Sequence, residues 1–302
     1  MTGSDPGGAR LATGIACVVA SAAAFGTMAI LARIAYASGA DTPTLLALRF
    51  AIAAAAMLAI AFVRHTPLPN GSALGGVVLL GAVGYGGQAF SFFTALTLIP
   101  AGIVALLLYL HPALVALLSA VLLHERLTTV KQAALAVALV GTVLTVAPAL
   151  DGPAAAEPGG RVVAGIAFAV AAAVFYSFYI IAAAWLGRRV AARPMSTVVI
   201  ASAAAVFVAA ALARGAAWPQ STAGWLAVLA IALVSTVAAI TLYFAGLERV
   251  GPTRAATLST LEPVVTVTLA ALVLGEAIAP VQIAGGALIL IAVALIARSP
   301  QA

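Results

Sequence analysis

Two ionisable residues, His111 and Glu262, stand in the middle of long apolar stretches, and each is followed directly by a proline. An imidazole exchanges a proton near neutral pH, and a carboxylate takes up a proton or binds a cation. Charged groups are expensive to bury away from water, so ionisable residues in such surroundings are candidates for function. The pair therefore predicts proton exchange or cation binding as the chemistry of this chain.

The two prolines, Pro112 and Pro263, add a backbone feature to each position. Proline has no amide N–H, so a helical proline leaves the carbonyl four residues earlier without its usual donor. The carbonyls of Leu108 and Ser259 therefore need other partners or must face water. In a bilayer such interruptions are tolerated where the backbone lines a cavity or packs against protein. We expect a bent helix at each site, with Pro112 and Pro263 as hinges.

The elements that must position these residues are membrane-spanning helices. Of the 302 residues, 65% are hydrophobic and only 7% are charged, whereas a soluble domain carries about 25% charged residues. A membrane helix needs about 20 mostly apolar residues. Ten runs meet this requirement, and we number the helices in this order: Leu11–Ala32, Pro43–Val63, Ala73–Leu96, Ile99–Leu123, Lys131–Ala147, Val162–Leu186, Pro194–Ala213, Ala223–Gly246, Thr253–Leu274 and Pro280–Ala297. The sequence predicts an all-α integral membrane protein.

The sequence also repeats itself at a fixed offset of 151 residues. "LHPALVALLSAVLLHE" at Leu110–Glu125 corresponds to "LEPVVTVTLAALVLGE" at Leu261–Glu276, and Pro43 corresponds to Pro194. Matches of Ala and Leu are common in so apolar a chain, but Pro and Glu matches kept in register without gaps are not. We expect two five-helix units, residues 1–151 with helices one to five and residues 152–302 with helices six to ten.

Because each unit has an odd number of helices, the second must enter the membrane from the opposite side. Inverted repeats recur among secondary transporters, where the two halves exchange roles around a central cavity. Glu125 and Glu276 then fall on opposite sides of the membrane, where we expect them to cap helices or to pair across an interface.

The distribution of Lys and Arg gives the orientation, because these residues accumulate in cytoplasmic loops. Alternating the sides through ten helices puts ten basic residues on the side of the termini and three on the other side. We expect both termini to be cytoplasmic, in a multi-pass protein of the bacterial inner membrane. The basic residues are dispersed, so the net charge of +6 predicts no nucleic-acid partner.

Further polar, aromatic and small residues recur at helical spacing near the two ionisable positions. Aromatic faces bind apolar side chains and cations, and glycines on one face permit close packing or a bend. The predicted substrate-binding residues are Tyr85, Gln88, Tyr109, His111, Tyr176, Tyr179, Tyr243, Thr260 and Glu262. The predicted hinges are Gly84, Gly87, Pro112 and Pro263.

The roles of the buried ionisable groups stay open at this point. Three roles are open. Either Glu262 or His111 couples transport to protons, or Glu262 binds the ammonium group of a substrate. In the third alternative, Glu262 only holds helix nine in place. Arg49, inside helix two, either extends its stem toward the outer surface or clamps neighbouring helices together; a direct role in transport is the remaining alternative.

These motifs resemble the drug/metabolite transporter superfamily, specifically the ten-helix EamA-type exporters. The resemblance is carried by "LRF" at Leu48–Phe50, "YLHPALVALLSAVLLHERLT" at Tyr109–Thr128, "STLEPVVTVTLAALVLGEAI" at Ser259–Ile278 and the glycine-rich "IAGGALILIAV" of helix ten. Within the superfamily, the chain is similar to bacterial amino-acid exporters of the YddG type. The resemblance implies two inverted halves around a central cavity lined mainly by helices three, four, six, eight and nine. It implies no ATP site, and the sequence contains no P-loop motif.

We therefore expect a secondary transporter that exports small metabolites by alternating access, with amino acids as the leading substrates. The few fixed charges suit a zwitterion better than a phosphorylated compound. Efflux of hydrophobic or cationic drugs is the alternative. A non-transporting scaffold is disfavoured, because it would not need two ionisable residues in the middle of membrane helices. An intramembrane enzyme needs a nucleophile–base set or metal ligands at depth, and Cys17 and His111 alone provide neither. We expect no cofactor, lipid and a small zwitterion as partners, and a monomer that suffices.

Overall fold

The computed structural model describes residues 6–122, 128–151 and 160–298, and every regular element in these ranges is helical. Ten helices are long and apolar enough to cross a membrane, which confirms the predicted fold class. Their bounds are Pro6–Gly26 with Met28–Ala37 for helix one, Thr42–Val63, Gly71–Leu79 with Leu80–Tyr85 and Gly86–Ala95 for helix three, Ala101–Leu108 with His111–Leu122 for helix four, Thr129–Asp151, Arg161–Leu186, Ala192–Arg214, Thr222–Ala232 with Leu233–Ala238 and Ala239–Val250 for helix eight, Pro252–Ser259 with Leu261–Leu274 for helix nine, and Pro280–Arg298.

Several helices extend beyond the bounds that the apolar runs predict, and helices one and eight are examples. Helix one continues past Ala32 to Ala37, and helix eight continues past Gly246 to Val250. The polar residues in these extensions find partners, so the helix need not end where the apolar run ends. Arg33 Nη1 donates to the carbonyl oxygen of Leu96 at 2.6 Å, and Glu248 forms a 3.0 Å salt bridge with Arg193.

The packing of the helices follows the repeat. Helix five packs against helix ten, and helix two against helix seven, so each of these pairs joins equivalent helices of the two units. Helix three packs against helix six, and the equivalent pair, helices eight and one, is also in contact. The pairs of contacting helices are therefore symmetric: exchanging the two units would give the same pairs. With five membrane-crossing helices in each unit, the repeats have opposite orientations.

Close backbone contact between helices five and ten depends on Gly285. A Cβ atom added there would lie 2.6 Å from the carbonyl oxygen of Gly141 and 2.7 Å from the amide of Thr145, and neither backbone atom can move aside by rotation. Small residues at such crossings let helix backbones approach each other.

Gly285→Ala is therefore expected to destabilise the protein by about 1–3 kcal/mol, the usual range for overpacking. Thermal unfolding in detergent, followed by loss of the monodisperse elution peak, measures the effect. Gly75→Ala is the matched control, because nothing lies within 4 Å of the added Cβ at that helical glycine. Equal melting temperatures for the two variants would contradict the packing role of Gly285.

Candidate functional site

Helices four and nine are interrupted at equivalent places. In helix four the first segment ends at Leu108 and the second begins at His111; in helix nine the first segment ends at Ser259 and the second begins at Leu261. Each interruption comes just before a proline, where the missing amide donor weakens helical continuity. The sequence thus breaks both helices near the middle of their spans.

The carbonyls released by the two prolines have side-chain partners. The Leu108 oxygen lies 3.0 Å from Nδ1 of His111, on the same helix. The Ser259 oxygen accepts a hydrogen bond from the Tyr109 hydroxyl at 2.7 Å. A residue of helix four therefore supplies the donor that is missing at the break in helix nine. A buried carbonyl without a donor is costly, and these side chains remove that cost.

Glu262 lies beside the same tyrosine. Its Oε2 is 3.0 Å from the hydroxyl oxygen of Tyr109, and its side chain is only partly exposed. One turn later on helix nine, Thr266 donates to the carbonyl of Gly26 at 2.9 Å, which ties this part of helix nine to helix one. Within the described ranges, no basic side chain forms a salt bridge with Glu262.

Five aromatic rings, which we call the aromatic chain, lead away from Glu262 through three helices. From Tyr109 the ring centroids are 5.6 Å to His111 and then 4.7 Å to Tyr176. Tyr176 lies nearly parallel to Tyr179, at 5.9 Å and 14°, and Tyr179 is 5.5 Å from Tyr85. The sequence predicted all five as site residues, and the fold brings them into one contiguous row.

Arg49 lies at the far end of the aromatic chain. Its Nη2 donates to the Tyr85 hydroxyl at 3.2 Å and its Nε to Oγ1 of Thr236 at 3.1 Å. Its guanidinium carbon lies 4.6 Å from the ring centroid of Phe50 and 5.1 Å from that of Phe93. Only 2% of Arg49 is exposed, so of the two alternatives the structure supports the clamp between helices and not the extension of the stem to the outer surface.

The positions that Arg49 clamps are equivalent in the two repeats, because Tyr85 and Thr236 are separated by the same 151 residues. They belong to helices three and eight, where each helix contains a π-helical stretch, Leu80–Tyr85 and Leu233–Ala238. Such stretches often occur at functional sites. Arg49 and Thr236 are not among the predicted substrate-binding residues. The repeat offset, which relates Thr236 to Tyr85, is the signal in the sequence that identifies Thr236.

Arg49→Lys is expected to lower the free energy of unfolding by about 1–3 kcal/mol, because an ammonium group cannot hold both hydroxyls in the planar geometry of a guanidinium. Thermal unfolding in detergent tests this, with Arg64→Lys as the control at an exposed position. If both lysine variants unfold at the wild-type temperature, the clamp contributes nothing to stability.

Besides Glu262, three predicted binding residues lie outside the aromatic chain. Gln88 is buried one turn beyond Tyr85, whose hydroxyl pairs with Arg49 instead. Tyr243 packs in a separate cluster that includes Val18. Thr260 donates to the carbonyl of Thr257 on its own helix at 2.7 Å.

The predicted glycine hinges have different surroundings. Gly84 falls within the π-helical stretch of helix three, and a Cβ there would make only ordinary contacts, the nearest at 3.4 Å from Leu80 Cδ1. At Gly87 a Cβ would lie 2.7 Å from the ring of Phe175. Gly87 therefore allows helices three and six to pack closely.

Glu276 caps a helix, as expected from its position. Its carboxylate accepts hydrogen bonds from the amides of Ala101 at 2.7 Å and Gly102 at 3.1 Å, at the start of helix four. A carboxylate is favoured there by the unsatisfied amides and by the helix dipole. The equivalent residue, Glu125, lies outside the described residues.

Two surface cavities lie away from the aromatic chain. One, of about 700 Å³, follows the face of helix six from Val163 to Phe178. The other, of about 510 Å³, lies between helices two, seven and eight near Arg64 and Arg193. Neither is lined by a predicted site residue, because the rings and Glu262 pack against one another in this structure.

Comparison with known proteins matches the chain twice to the EamA-like transporter family, over residues 12–147 and 163–298. The second match begins and ends 151 residues after the first, at the offset of the repeat. A crystal structure of a protein with 27% sequence identity superposes with a TM-score of 0.61, covering 94% of this chain and 96% of that chain. No curated protein matches the chain.

Proposed function

The chain belongs to the EamA-like transporter family, whose members are membrane transporters of small substrates, and from this premise we propose that it exports amino acids. Transport proceeds by alternating access across the bacterial inner membrane, without ATP. Among the members of the family, we place it with the YddG-type amino-acid exporters. Both termini are cytoplasmic, as the distribution of basic residues favours.

One observation carries the proposal: residues of both repeats meet at two interrupted helices near mid-membrane. Tyr109 of the first repeat contacts Ser259 and Glu262 of the second. In transporters built from inverted repeats, substrate sites lie near the midplane at the interface of the repeats, beside broken helices. Movement of one repeat against the other must change these contacts, so this is where substrate binding and conformation are coupled.

The chemistry of the site fits a zwitterion with an apolar or aromatic side chain. Glu262 offers the negative charge for an ammonium group, and the parallel rings of Tyr176 and Tyr179 offer faces for the side chain. The guanidinium of Arg49 already donates to Tyr85 and Thr236. We therefore assign substrate binding to the Glu262 end of the aromatic chain.

Efflux of hydrophobic cations is a second candidate. It is favoured because no basic side chain in the described ranges forms a salt bridge with Glu262, so the charge of its carboxylate is available to neutralise an organic cation. Aromatic rings beside a carboxylate bind such cations by the same cation–π attraction. A single chain contains both repeats, so the monomer suffices in either case.

Purified protein in proteoliposomes, given a labelled amino-acid mixture with and without an imposed pH gradient, tests the proposal. We expect uptake that requires the protein, and its response to the gradient separates coupled exchange from facilitated diffusion. Empty liposomes are the control for leakage. No uptake of any amino acid by monodisperse protein would contradict the proposal, and uptake of cationic dyes in the same vesicles would favour drug efflux.

A further inference from the structure

The Tyr109 hydroxyl is within hydrogen-bonding distance of two oxygens at once. It lies 2.7 Å from the Ser259 carbonyl and 3.0 Å from Oε2 of Glu262. A phenol carries one proton, a carbonyl carries none, and an ionised carboxylate carries none. Two full O–H···O bonds therefore need a second proton, and among these three groups only a protonated Glu262 supplies it.

We propose that Glu262 is the binding site of a coupling proton, and that Tyr109 is the positioning residue that transmits the presence of this proton to the break in helix nine. The inference rests on the proposed function in one respect, that the protein is a transporter, and deepens it by naming the coupling ion. It does not depend on which substrate is carried.

The two protonation states have different hydrogen bonds. With Glu262 neutral, its O–H donates to the Tyr109 oxygen, and Tyr109 donates to Ser259, so every group is satisfied. With Glu262 ionised, the carboxylate competes for the Tyr109 proton with a bond roughly twice as strong as a neutral one. The Ser259 carbonyl then loses its donor inside the membrane, which favours a rearrangement of the break. The O–H bond of Glu262 is the only covalent bond made or broken, and its proton is exchanged with water on the side to which the site opens. Tyr109 keeps its own proton and reorients it.

The link between the repeats occurs at one of the two breaks. The residue equivalent to Tyr109 in the second repeat is Thr260, whose hydroxyl donates to Thr257 on its own helix. The Leu108 carbonyl pairs with His111, also on its own helix. Protonation of Glu262 therefore changes a bond between helices four and nine that has no equivalent at the other break, and the stoichiometry expected is one proton per cycle.

Among the groups around Glu262, its own carboxylate is the one assigned to bind the coupling proton. Tyr109 of helix four is within hydrogen-bonding distance of it, and Tyr176 of helix six is near enough to interact electrostatically. Helix one presents the Gly26 carbonyl, which bonds Thr266 and carries no charge. His111 lies beyond Tyr109 and has Nδ1 on the Leu108 oxygen. Of the eight acidic residues, Glu262 is the one inside a predicted membrane-spanning run.

Infrared difference spectroscopy of the purified protein in lipid, between acidic and alkaline buffer and without substrate, tests the proposal. In the wild type we expect the C=O band of a protonated carboxyl to disappear on raising the pH, and the tyrosine C–O band to change with the same midpoint. Glu262→Gln should remove both signals. Tyr109→Phe should keep the carboxyl signal and remove the tyrosine signal, which a purely structural role for Tyr109 would not predict.

Glu248→Gln and Tyr36→Phe are matched controls on other parts of the fold, and both should keep the two signals. A silent tyrosine band in the wild type, or a carboxyl signal that persists in Glu262→Gln, would overturn the proposal. The measurement uses no substrate, so a positive spectrum with no amino-acid uptake would remove only the proposed substrate.

Discussion

Glu262→Gln is expected to lower the initial rate of substrate transport about 10- to 100-fold, the effect of losing one hydrogen-bonded charge. The amide is nearly the same size and its NH₂ group can donate to Tyr109 as a protonated carboxyl would, so the contacts between helices four and nine are kept. It can neither release a proton nor neutralise an ammonium group. We therefore expect a folded protein whose residual transport no longer responds to pH.

Transport in proteoliposomes over a range of pH measures this effect, with melting temperature as the check on folding. Glu248→Gln is the control, because Glu248 is an exposed carboxylate that pairs with Arg193 at the end of helix eight. Wild-type rates in Glu262→Gln would show that neither proton coupling nor cation binding depends on Glu262.

Pro263→Ala is expected to slow transport about fivefold, the effect of one added hydrogen bond of about 1 kcal/mol that must break in each cycle. The alanine amide restores the donor for the Ser259 carbonyl and competes with Tyr109, whose hydroxyl occupies this acceptor at 2.7 Å. The break in helix nine should straighten, and the melting temperature should stay equal or rise because proline disfavours the helix interior.

Pro112→Ala should act in the same direction at the break in helix four, by giving the Leu108 carbonyl a backbone donor in place of His111. Pro148→Ala is the matched control, since Pro148 lies inside helix five, which continues through it. Transport rates of the three proline variants and the wild type, measured in parallel in proteoliposomes, test this prediction. Wild-type rates for both Pro112→Ala and Pro263→Ala would show that the two helix breaks do not take part in the rate-limiting movement.

The sequence alone determined the class of the protein, the number of its spans and the repeat. Apolar runs of about 20 residues are helical in a bilayer because a helix satisfies its backbone donors and acceptors within the one segment. The same argument located the interruptions before Pro112 and Pro263. It was less reliable at helix ends, where Arg33 and Glu248 remain helical because they find partners.

The tertiary structure decided which side chains meet. Spacing along one helix tells which residues share a face, but it does not tell which residue of another helix lies opposite. The contact of Tyr109 with Glu262, the row of rings that ends at Tyr85, and the clamp that Arg49 makes on Thr236 all join different helices. Those neighbours follow from how the two repeats pack, and this packing is a property of the whole chain.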